Sequence, residues 1–179
     1  AVYERGMFWY LPWPGRDDAG ETLHALGGQS IFDREKFLAL DGLDPLFSPF
    51  YHEDLDISWR AYRRGWRVLY EPSATMIHRG AVTASRMYSR EQLDAFMAKN
   101  MFLFIWKNLH DTGMTAQHAM WLAPRLARAA LKGDRVFLRG FAGAVAQFPA
   151  ALRARLASGK ASRVSDADIL SSLGPKETG

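Results

Sequence analysis

Three acids, Glu53, Asp54 and Asp56, stand within four residues of one another in "SPFYHEDLDISWRAYRRGW" (48–66), beside an aromatic-rich run that turns basic. A carboxylate held at the start of a helix and partly shielded by rings has what a general base needs: a fixed geometry and an adjustable pKa. The same Glu53 and Asp54 also suit a purely local role, because acids in a first helical turn complement the helix dipole. Local chemistry leaves both readings open. Asp56 and Arg60, four residues apart, can pair on the helix flank, a contact worth only about 0.3–0.5 kcal/mol if exposed.

The elements that must position these acids follow from spacing. Leu55, Trp59, Tyr62 and Trp66 recur at helical intervals, so the acids lie in the first turn of a helix closed by Gly65. Upstream, residues 1–26 are aromatic and rich in Pro and Gly, which favours a loop. Gly27-Gly28 makes a backbone bend, 29–32 reads as a short buried strand, and Asp33 caps a short helix over 34–40 that stops at Asp41-Gly42. Downstream, "WRVLYEP" and "ATMIHRG" read as two strands, ended by Pro72 and Gly80. Helical spacing then takes over across 91–109, 116–131 and 136–156, the last bent or split near Pro149. The polar stretch 162–179 reads as a frayed tail.

The bulk properties set wide bounds. The chain has 179 residues, 48% of them apolar, which is enough for one domain with a core. A formal net charge of +4 favours acidic partners such as phosphates, nucleic acid or anionic lipid, without choosing among them. The absence of cysteine excludes disulfides and thiolate metal sites. No apolar run approaches the roughly 20 residues of a membrane-spanning helix, and no leader pattern opens the sequence.

Taken in order, Gly27-Gly28, Gly42-Leu43-Asp44, Glu53-Asp54-Leu55-Asp56-Ile57, Arg60, Gly65-Trp66-Arg67, Pro72 and His78 resemble the second half of the catalytic domain of family 2 glycosyltransferases. Ile57 and Leu43 depart mildly from the Leu and Phe of the family pattern. The resemblance spans residues 24–82, and its closest tone is that of bacterial enzymes that add rhamnose to surface glycans. It implies an α/β chain, the C-terminal half of a GT-A fold followed by an α-helical tail. It implies an inverting transfer of a sugar from a nucleotide-sugar donor to a glycan or lipid-linked acceptor. Asp54 would be the catalytic base, with Glu53 binding the acceptor or holding the loop and Asp56 orienting Arg60. His78 falls where the family carries a His near a metal-bound diphosphate. A strand-end His bonded to backbone is the other reading. Arg79 could meet phosphate oxygens or be a solvated charge. Gly27 and Gly28 would let substrate approach the backbone closely, or simply make a turn. Trp9 and Trp13 are candidate sugar-stacking platforms, and Trp59 belongs to the core.

The same resemblance implies what lies elsewhere. No Asp-x-Asp segment follows a strand here, so a divalent metal, Mg or Mn, is expected mainly through an N-terminal, donor-binding half outside these residues. The chain begins at Ala1 in mid-pattern, as a portion of a longer and otherwise inactive-alone enzyme would. The expected organisation is a partial catalytic domain over 1–88, a basic amphipathic helical region over 89–161 and a disordered tail over 162–179. The basic helices suit either peripheral contact with a membrane or packing on the catalytic domain with a solvated face. No nucleic-acid-binding signature accompanies the charge. The expected location is the cytoplasm, at the inner face of the cytoplasmic membrane. The rival to an enzyme is a non-catalytic basic module that docks on a membrane or partner protein.

Overall fold

The computed structural model describes residues 2–10, 17–77, 82–159 and 162–173. Its elements run β1 (Val2–Glu4), β2 (Met7–Trp9), β3 (Gly20–Glu21), α1 (Arg34–Ala39), a 3-10 turn (Pro45–Phe47), α2 (Glu53–Arg63), β4 (Leu69–Tyr70), α3 (Val82–Met87), α4 (Arg90–Asn108), α5 (Thr112–Lys132), α6 (Arg135–Ala146), α7 (Phe148–Gly159) and α8 (Asp166–Leu173). Helix accounts for 61% of the structure and strand for 6%, so the fold is helical and the expected α/β half of a GT-A fold is overturned.

The reason lies in the apolar runs that read as strands. A strand needs a hydrogen-bonded neighbour, and an apolar run alone does not supply one. Residues 29–32 form no strand, and Ile31 is 99% exposed. Of "WRVLYEP" only Leu69 and Tyr70 pair, antiparallel with Glu21 and Gly20. The described part of "ATMIHRG" has no strand, and Ile77 is 95% exposed. The opening stretch, expected as a loop, begins instead with a hairpin in which Tyr3 faces Phe8 and Glu4 faces Met7. Its turn residues Arg5 and Gly6 both have positive φ, 51° and 75°, as a tight right-twisted hairpin requires. A Cβ at Gly6 would stand 2.6 Å from the His118 Cα, so only glycine lets the turn sit on α5.

The helices follow their local signals more closely. Asp33 caps α1 by accepting from the Lys36 amide at 3.0 Å. Ser89 and Gln92 form a reciprocal capping box that starts α4. The expected third helix is split: α6 ends at Ala146 and α7 begins at Phe148, with Pro149 in its first turn, where the missing N–H is harmless. α4 is the central strut, with Phe102, Leu103 and Phe104 fully buried. α6 and α7 cover one side of it, and Gly140 lies so close to α4 that a Cβ there would meet the Ala98 Cβ at 2.6 Å. On the other side, Phe8, Trp59 and Phe104 pack edge to face at 5.4–5.6 Å and lock the hairpin, α2 and α4 together.

The segment expected as a disordered tail departs from that reading. Over Asp166–Leu173 it is helical, with Ile169 in the core and Asp166 fully buried. Among the described residues no helix is long and apolar enough to cross a membrane.

Candidate functional site

α2 positions the acids, and three rungs along one of its faces hold the preceding segment in place. The Tyr62 hydroxyl donates to the Thr22 carbonyl at 2.5 Å, the Ala25 amide donates to the Ser58 hydroxyl at 3.0 Å, and the Gly27 amide donates to Asp54 Oδ2 at 3.3 Å. Residues 62, 58 and 54 recur every four positions, so the segment runs antiparallel to the helix. It delivers Gly27 and Gly28 to the N-terminal end of α2.

There Leu26, Gly27, Gly28, Gln29, Leu43, Glu53 and Asp54 enclose an open hollow of about 420 Å³. Four of the residues singled out from the sequence, Gly27, Gly28, Glu53 and Asp54, therefore meet at one place. Asp54 is half-buried and has no ion-pair partner among the described residues. Its Oδ1 accepts from the Leu55 amide at 2.8 Å. Glu53 carries a buried Oε2 without a hydrogen-bond partner among the described residues. Burial raises the Glu53 pKa, and the charge of Asp54 adds to the rise. The two carboxyls thus differ in environment, which is how adjacent acids take different protonation states.

Behind the acids stand groups that the sequence reading passed over. His52 is the residue before α2 and is 6% exposed, and neither ring nitrogen has a partner among the described residues. Burial drives its pKa down to about 4, against an opposing pull from Asp54. His24 is also depressed by burial, and its Nδ1 is likewise buried and unpartnered. The Tyr10 ring approaches both imidazoles, at 5.9 Å from His24 and 6.4 Å from His52. Tyr51 and His52 both have left-handed φ, 77° and 71°, a conformation that costs a non-glycine residue about 1–2 kcal/mol. Asn100 of α4 holds this strained turn: its fully buried amide nitrogen lies 2.6, 2.7 and 2.8 Å from the carbonyls of Phe47, Phe50 and Tyr51. The one signal in the sequence was His52 itself, directly before the acid pair. Nothing local marks His24 or Asn100.

The remaining candidates are dispersed. Trp9 lies under the Arg125 guanidinium, 5.6 Å from its ring centre, and its indole N–H donates to the Glu4 carbonyl at 3.1 Å. It does not line the hollow. Trp13, His78 and Arg79 lie outside the described residues. Among the described residues no group of three or more His, Asp or Glu is placed to hold a metal ion. The Mg or Mn was expected mainly through an N-terminal half outside these residues, which this observation does not touch.

Asp56 does what the spacing anticipated, but in the interior. Fully buried, it meets Arg60 at 2.7 Å, Lys107 at 2.6 Å and the Asn108 side chain at 2.8 Å. Arg60 in turn donates to the carbonyls of Leu40 and Gly42, and Lys107 reaches Asp44 at 2.7 Å. A second hollow of about 340 Å³ opens beside Arg60, Arg63 and Lys107, but these three cations are already matched to Asp56, Asp44 and Asp166. No family model matches the sequence, and no curated protein or solved structure matches it either.

Proposed function

We propose that the chain carries the acceptor-activating site of an inverting glycosyltransferase of the family 2 kind, with Asp54 as the general base. One observation supports this above the others: Asp54 lines an open hollow and has no ion-pair partner among the described residues, while the next acid on the same helix, Asp56, meets two cations and an amide. An acid kept for structure is matched. An acid kept for proton transfer needs a free lone pair toward the reacting group.

On this reading the hydroxyl of a glycan or lipid-linked acceptor enters the hollow against Gly27 and Gly28. Its proton passes to the Asp54 carboxylate as the oxygen bonds to the anomeric carbon of the nucleotide-sugar. The bond from that carbon to the diphosphate oxygen breaks, and the nucleoside diphosphate leaves with the electron pair from the opposite face. Glu53, whose pKa is raised by burial, lines the same hollow and hydrogen-bonds the acceptor through its carboxyl group. Both ring nitrogens of His52 and the Nδ1 of His24, buried and without a partner among the described residues, offer further polar atoms close to these acids. The donor is held by chain outside these residues, and the reaction belongs at the inner face of the cytoplasmic membrane.

The test is nucleoside diphosphate release by the full-length gene product carrying these residues, assayed over a panel of nucleotide-sugars and glycan acceptors. Asp54→Asn lowers turnover by about 10²–10⁴-fold, the usual contribution of a positioned base. Glu53→Gln weakens acceptor binding with a smaller effect on turnover. Retained turnover in folded Asp54→Asn, or no transfer by the native protein to any acceptor, refutes the assignment.

A further inference from the structure

We propose that the solvent-facing side of α6 and α7 docks on an anionic lipid surface. The two helices present their outer faces differently from an ordinary surface helix. On α6, Arg135, Arg139, Ala142 and Ala146 recur at i, i+4, i+7 and i+11 and are all exposed, with Val145 beside them. On α7, Phe148, Leu152 and Leu156 recur at i, i+4 and i+8, and they are 44%, 42% and 66% exposed. Beside this row Ala151 is buried in the core, and Phe148 packs edge to face on Trp106 at 5.3 Å. α7 is therefore apolar on its packed side and, at Leu152 and Leu156, on its exposed side as well.

Charge decides what covers the other side. Between 112 and 159 there are seven arginines and lysines and a single acid, Asp134. That acid is occupied in capping α6, where it accepts from the Phe137 amide at 3.0 Å. Arg125 and Arg155 are tied to backbone carbonyls, of Arg5 and of Trp106 and Leu109. Arg128, Lys132, Arg135, Arg139 and Arg153 are exposed and form no ion pair among the described residues. An exposed leucine row edged by unpaired cations and lacking acids matches the boundary between acyl chains and anionic headgroups. A nucleic acid would use the arginines but not Leu152 and Leu156. No described helix can cross a membrane, so the contact is peripheral.

The experiment is co-sedimentation of the chain with phosphatidylcholine vesicles, with and without phosphatidylglycerol, at low and high salt. The native chain pellets with the phosphatidylglycerol vesicles, and salt weakens the association. Arg135→Gln/Arg139→Gln/Arg153→Gln lowers the partition coefficient about a hundredfold. Leu152→Gln/Leu156→Gln lowers it about tenfold or more. All five side chains are exposed, so circular dichroism stays native. The proposal is overturned if the native chain stays in the supernatant with both vesicle types, or if either variant binds as well as the native chain. It is equally overturned if Leu152→Gln/Leu156→Gln abolishes a concentration-dependent self-association seen without lipid, which makes the face an interface between copies. Tight binding to an oligonucleotide that survives the leucine changes, without vesicle binding, assigns the face to nucleic acid instead. The enzyme assay proposed above is independent of every one of these results.

Discussion

The two sides of α2 treat their acids in opposite ways. On one side, Asp54 and Glu53 border a hollow, His52 is buried with no hydrogen-bond partner among the described residues, and two successive residues sit in a strained left-handed conformation. On the other side of the same first turn, Asp56 is ringed by Arg60, Lys107 and Asn108, and further along Arg63 is joined to the buried Asp166, which also accepts from the Trp59 indole at 3.2 Å and the Asp111 amide at 2.8 Å. The residue types are the same, and only their satisfaction differs. The saturated side holds α2 against α4 and α8. The unsatisfied side keeps polar atoms out of water and unpaired, at a cost in stability that a structural role alone does not repay.

If that division is right, the largest stability effect lies on the saturated side. Asp56→Ala leaves Lys107 and Arg60 buried with too few acceptors, and breaking a buried pair in this way costs about 3–5 kcal/mol. Urea denaturation of native and variant proteins measures it. A change below about 1 kcal/mol would place Asp56 among ordinary surface acids.

A smaller effect, readable through pH, comes from the unsatisfied side. The folded-state pKa of His52, about 4, lies below its unfolded value of 6.5, so the unfolded chain binds more protons between these two values. Its neutral form therefore contributes stability that is fully present above pH 6.5 and lost as pH falls toward 4, roughly 3 kcal/mol in all. His24, His110 and His118 are depressed in the same direction, whereas the raised pKa of Glu53 opposes them. Only the difference between native protein and His52→Leu isolates the one residue. The variant's stability falls less steeply across pH 6.5–4, and parallel curves would mean that His52 finds a partner or titrates normally.

Asn100 joins the two sides, and its replacement has an intermediate consequence. Asn100→Ala frees the carbonyls of Phe47, Phe50 and Tyr51 inside the protein and costs about 2 kcal/mol. Because those carbonyls shape the turn before α2, amide hydrogen exchange at 50–54 rises more than at the Asp56 end. Uniform acceleration along α2 would show that Asn100 supports the helix as a whole.

Local and long-range signals account for what the sequence revealed. α1 was legible because Asp33 and the Asp41-Gly42 stop are local, and α4 because its period runs across 19 residues. The break before Pro149 was legible for the same reason. The sheet was misread because Ile31 and Ile77 look like strand residues, while neither has a partner strand among the described residues. Asp166 looked like one acid in a polar tail, since its partners Arg63 and Trp59 lie over a hundred residues away. In the site, Glu53, Asp54 and the glycine pair declared themselves by type and spacing. His24, His52 and Asn100 could not, because what distinguishes them is a missing hydrogen bond or a contact from another helix.

The smallest stability effect belongs to the residue on which the functional reading depends most. Asp54→Asn removes a charge that no cation neutralises among the described residues, so no ion pair is lost. Asn keeps one acceptor oxygen where the carboxylate had two, so one of the bonds from the Gly27 and Leu55 amides is lost. Loss of one acid from the first turn forfeits about 0.3–1 kcal/mol of dipole complementarity. Against this, the fading of like-charge repulsion with Glu53 returns part of that loss. With one amide hydrogen bond lost as well, the net change is about 1 kcal/mol, and the denaturation midpoint of the variant should fall far less than that of Asp56→Ala. A loss as large as that of Asp56→Ala would mean that Asp54 supports the fold as its neighbour does. The two sides of α2 would then no longer differ, and the Asp54 carboxylate, held by two backbone amides, would have a structural explanation.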